Sequence, residues 1–60
     1  MTGHQDPSGM FERLMALNRE AFEAGNYNTA YHTLAAALHV ASAHQDAEGL
    51  ATVERLAAEQ

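Results

Sequence analysis

Sixty residues make at most one domain, and a chain of this length buries only about 60% of the surface its unfolded form exposes, so its core is small. Eight acidic residues against three arginines and no lysine give a net charge of −5, which repels nucleic acid and offers a membrane no basic anchor. Cysteine is absent, which removes disulfides, thiolate metal sites and thiol catalysis together. What remains to reinforce so small a core is a partner chain or a histidine-bound metal.

No apolar stretch approaches the ~20 residues of a membrane span, and the N-terminus carries neither the basic start nor the apolar segment of a signal peptide, so a cytoplasmic protein is expected. Residues 1–5 are polar and expected to be disordered, with a single helical domain over 6–60. Asp6 has the chemistry of an N-cap, and Pro7 fits the first helical position, where a missing N–H costs nothing. Helix one therefore starts at Pro7. Met10, Leu14, Leu17 and Ala21 fall on one line at helical spacing, flanked by Phe11, Met15, Phe22 and Ala24, while Glu12, Arg13, Arg19, Glu20 and Glu23 point away. This apolar arc spans about half the circumference, wide for contact with a single neighbour. Gly25 ends the helix as a residue able to take positive φ, and the short turn through Asn26 sends the next helix back antiparallel.

Helix two runs from Tyr27 or Asn28 to about Ala43. Tyr27, Ala30, Tyr31, Leu34, Ala37, Leu38 and Ala41 share the face expected to pack on helix one. The opposite face carries His32, Ala36, His39 and Ala43 with Ala35 and Val40 at its margins, and no charged side chain stands between Tyr27 and His44. Asp46 then caps a third helix, Ala47 to about Ala58, with a thinner stripe of Leu50, Val53 and Ala57 and with Leu56 to one side. The expected core is Leu14, Leu17, Ala21, Tyr27, Ala30, Leu34, Ala37, Leu38, Leu50 and Val53.

Two repeated words overlie these elements. "HQDPSGM" at 4–10 returns as "HQDAEGL" at 44–50, a period of 40, and "ERLM" at 12–15 returns as "ERLA" at 54–57, a period of 42. Periods of this length point to helix-pair repeats. The stretch "GNYNTAYHTLAAAL" resembles the middle of a tetratricopeptide repeat: Gly25, Tyr27, Ala30, Leu34, Ala37 and Leu38 occupy its pattern positions, and Leu14 and Leu17 its helix-A apolar positions. The spacing is closer to the forty-odd-residue variant of kinesin light chains than to the 34-residue form. The resemblance covers Met10 to about Ala58 and implies one and a half repeats: helix A, helix B and a further helix A. Asn18 departs from it, standing where the family prefers Gly or Ala facing Ala30, which implies a more widely spaced helix pair. Ser42 departs too, near the family's proline, consistent with a helix two that runs on. Stable arrays need about three repeats, so one and a half imply an oligomer. The alternative architecture is a three-helix bundle like the microtubule-interacting and trafficking domain.

Candidate chemistry is sparse. His32 and His39 lie two turns, ~10 Å, apart on one helix, too far for one chain to close a metal whose ligand nitrogens stand within ~2.1 Å of it. His4 with Asp6, and His44 with Asp46, read as turn residues. Glu20 and Glu23 lie on a solvated face, Ser8 and Ser42 have no base arranged to activate them, and sixty residues are not expected to enclose the ~300 Å³ of a ligand pocket. No enzymatic activity and no cofactor are expected. The expectation is an interaction module whose partner is a second copy of itself, in a homodimer or larger closed assembly, with another protein or peptide as a further partner. The expected interface is His32, Ala36, His39, Val40 and Ala43, with Tyr31, Met15 and Phe22 wrapping its edges. A second reading is a small regulatory protein in which His32 and His39 converge across a dimer axis and respond to pH near 6 or to metal.

Overall fold

The computed structural model describes residues 7–60, which form three α-helices: α1 (Pro7–Glu23), α2 (Tyr27–Ala43) and α3 (Ala47–Glu59). The described residues contain no strand, so the fold is all-α. The starts and stops fall within a residue or two of those read from caps and glycines. The cap assigned to Asp6, the pairing of His4 with it and the disorder assigned to 1–5 lie outside the described residues.

Both connections are the same device. At the end of α1, the Gly25 N–H donates to the Phe22 carbonyl (3.1 Å) and the Asn26 N–H to the Ala21 carbonyl (2.8 Å). At the end of α2, the Gln45 N–H donates to the Ser42 carbonyl (3.1 Å) and the Asp46 N–H to the Ala41 carbonyl (2.9 Å). These nested bonds are a Schellman motif, which needs a left-handed residue at its apex: Gly25 has φ 80° and Gln45 φ 54°. The next residue opens the following helix at once. Asn26 accepts from the Thr29 N–H (3.3 Å) and Asp46 from the Gly49 N–H (3.0 Å). With three residues between helices, successive helices must run antiparallel.

The interior is made largely of alanine. Ala21, Ala30, Ala37 and Ala41 are buried with Leu34 and Val53. Leu34, Ala37 and Val53 form the centre, with Phe11, Leu14 and Met15 of α1 and Leu56 of α3 packed around them. Leu50 is half-buried. Alanine lets helices approach closely, and Gly49 does so at the start of α3, where an added Cβ would stand 2.5 Å from the Asp46 carboxylate and 3.2 Å from Ala41 Cβ.

Asn18 is the largest fully buried side chain, at 1% exposure. It faces Ala30 and acts as a tether there. Its amide donates to the Ala30 carbonyl (2.7 Å) and to Gln60 Oε1 (3.2 Å), while its Oδ1 accepts from Gln60 Nε2 (2.7 Å). A buried amide paired on both sides escapes the penalty of an unsatisfied group, and this one joins α1, α2 and the end of α3.

Three residues assigned to the core are not in it: Leu17, Tyr27 and Leu38 are 49%, 61% and 38% exposed in the single chain. The cause is geometric. The apolar arcs of α1 and α2 are wider than two neighbours can cover. Met15 packs on the cluster that includes α3, whereas Leu17, about 200° further round the same helix, lies outside that cluster and is half-exposed. The Cα atoms span only 12 Å in the shortest direction, so no helix is enclosed on all sides.

Candidate functional site

One surface feature follows from how α3 is held. Its first turn is pressed on α2 at Ala41, and its last residue is drawn toward α1 by the Asn18–Gln60 pair. Beside the first half of α2 this leaves an open groove of about 390 Å³. Leu34 and Val53 form its floor, Tyr31 and Leu38 one wall, Ala57 the other, and Phe22 and Tyr27 close one end with ring centroids 5.1 Å apart. None of its lining residues is charged. Tyr31 is 67% exposed, so an aromatic ring stands at the rim half-wetted. The space is a groove along the surface and not an enclosed cavity.

A second apolar patch lies on α1, where Met10 and Leu17 are 39% and 49% exposed. Seven residues apart, they form a ridge two turns long.

The residues expected to form one interface do not lie together. His32, His39 and Ala43 are exposed on the outer side of α2, with Ala36 and Val40 half-buried beside them. Met15 packs on the central cluster and Phe22 lines the groove, because both sit on the side of α1 that faces α3. Tyr31, expected at the edge of the interface, stands exposed on the groove, and so do Tyr27 and Leu38, which the periodicity assigns to the core. The available signal was the row Tyr27, Tyr31, Leu34, Leu38, a second apolar line on α2 beside Ala30, Ala37 and Ala41.

The polar surface is plain. A shallow depression collects Phe11, Glu12, Asp46, Glu48 and Gly49, and Arg55 pairs with Glu59 at 3.9 Å on the exposed side of α3. Among the described residues no three His, Asp or Glu side chains are grouped closely enough to hold a metal ion. The Tyr31 and His32 rings meet edge to face at 5.6 Å. Glu20, Glu23 and Ser42 are exposed, and no helix of the described residues is long and apolar enough to cross a membrane. Comparison of the chain with protein families, with curated proteins and with solved structures gives no match.

Proposed function

We propose that this chain is a non-enzymatic helical module that self-associates in the cytoplasm and serves, once assembled, as an adaptor or binding surface for other proteins. One observation carries the reading. Five large apolar side chains (Met10, Leu17, Tyr27, Tyr31 and Leu38) stand exposed, while only Leu34 and Val53 among the buried apolar residues are larger than alanine. Apolar area removed from water contributes roughly 25 cal/mol per Å², so covering these side chains favours association. A tetratricopeptide-like arrangement of the three helices would fit the same reading: a left-handed Gly25 and a repeated turn are features that helix-pair repeats use to leave one face ready for the next helix.

Sedimentation equilibrium from low to high micromolar concentration, with helicity followed alongside, tests it. The expected result is a weight-average mass that rises above the 6.5 kDa of one chain and a helical signal that falls on dilution. A chain that stays monomeric and fully helical throughout overturns the proposal.

A further inference from the structure

Resting on that reading, we propose that two copies associate by exchanging α3: the α2/α3 turn straightens at Gln45, α2 and α3 become one helix, and α3 takes its seat on the α1/α2 hairpin of the other copy. The occupant of that seat is on view, because α3 of the same chain fills it. Val53 sits with Leu34 and Ala37 at the centre of the core, and Gln60 pairs with the buried Asn18. In the exchanged pair these contacts are remade between copies, so no new apolar area has to be found.

The contrast between the two turns selects the hinge. Among the described residues Gln45 is the one non-glycine residue at positive φ, 54°, where its Cβ crowds the following carbonyl. That strain belongs to the bent form alone. Residues 42–48 contain neither glycine nor proline, and Ala43, Gln45, Ala47 and Glu48 are all good helix formers, whereas the first turn has Gly25 at its apex with φ 80°. The α1/α2 turn therefore stays bent, while α2 can run on into α3. The backbone permits it as well. In the bent chain the Asp46 carboxylate accepts from the Gly49 N–H, and the Ser42 and Ala41 carbonyls accept from the Gln45 and Asp46 N–H groups. A continuous helix pairs each of these backbone groups with one four residues along, so straightening orphans no donor or acceptor. Only the side-chain cap at Asp46 is given up.

Release of one strained turn per chain drives the exchange. Against it stand the lost freedom of two molecules and the repulsion between two chains of −5. The bent monomer therefore prevails at low concentration, and the exchanged pair gains as concentration or salt is raised.

The span of a single chain tests the exchange. The chain has no cysteine, so spin labels can be placed through Asn28→Cys and Glu59→Cys, both exposed, and the labelled chain diluted into an excess of unlabelled chain. In the bent form both labels stand at one end of the molecule, where Tyr27 and Gln60 line the same groove. In the straight form they lie about 45 Å apart at 1.5 Å per residue. The expected result is a long intrachain distance by pulsed electron resonance whose fraction follows the dimer fraction from sedimentation. A dimer whose labels stay close overturns the exchange and leaves self-association standing; a chain that is monomeric throughout overturns both. Two turn variants give the sign. Q45G relieves the bent form and weakens a continuous helix, and is expected to lower the association constant at least tenfold, each dimer having two such turns. D46A removes a cap that only the bent form uses, and is expected to raise it several-fold. An unchanged or reversed response of Q45G shows that Gln45 is not the hinge and overturns the proposal, and it decides alone if D46A loses helicity.

Discussion

The two turns of this protein are built alike and are not equally well furnished. Both nest a pair of hydrogen bonds at a helix end, both place one residue at positive φ, and both hand over directly to an N-cap. The first has glycine at its left-handed apex and asparagine as its cap. The second has glutamine and aspartate, with a shorter capping bond, 3.0 Å against 3.3 Å. Glutamine in this conformation crowds its Cβ against the following carbonyl, a cost of roughly 1–2 kcal/mol that glycine avoids. The charged cap at Asp46 recovers part of it through the dipole of α3. The difference shows that the hairpin α1/α2 is fixed by its turn, whereas the place of α3 depends more on what it touches after the turn.

The largest expected effect strikes those contacts. Val53 is the one large apolar residue of α3 that is buried, and V53A should cost about 2 kcal/mol, a large share for a domain whose total stability is on the order of 3–9 kcal/mol. Amide exchange would show it: α3 is expected to lose protection while α1 and α2 keep theirs, and uniform loss across all three helices would erase the distinction between the two junctions. Next in size is N18A, at about 1–3 kcal/mol by chemical denaturation, because it removes the buried tether to the Ala30 carbonyl and leaves the Gln60 amide without its partner. A double-mutant cycle with Q60A should return a coupling of at least about 0.5 kcal/mol; additive effects would mean that the far end of α3 is not held by this pair. Smallest is the exchange of the turn residues themselves. Q45G is expected to raise stability by up to about 1 kcal/mol and G25Q to lower it by a similar amount, so equal responses at the two sites would show that the turns are not loaded differently.

Much of this architecture was legible in the residues, and the legible part is local. Pro7, Gly25 and Asp46 mark helix boundaries because a missing N–H, a positive φ and a short carboxylate act within one turn of where they stand. Gln45 gives no such sign, since its left-handed conformation is imposed by the helices on either side. Burial was legible only in part. The periodic rows found Ala21, Ala30, Leu34, Ala37 and Val53 correctly but also counted Leu17, Tyr27 and Leu38, because periodicity reports which side of a helix is apolar and not how many neighbours arrive to cover it. The pairing of Asn18 with Gln60 spans 42 positions and leaves no local pattern at all. For the same reason the groove escaped notice: its lining comes from all three helices, and no single helix contains it.

An interior of alanines has a thermal consequence. Unfolding exposes little new hydrocarbon when the buried side chains are single methyl groups, so the heat-capacity change should fall below the usual 12–15 cal/mol/K per residue and the curve of stability against temperature should be shallow. An isolated molecule would then soften over a broad range on warming, without a sharp transition. A steep calorimetric peak that moves to higher temperature with concentration would locate the missing cooperativity between molecules, in the surface that one copy covers for another.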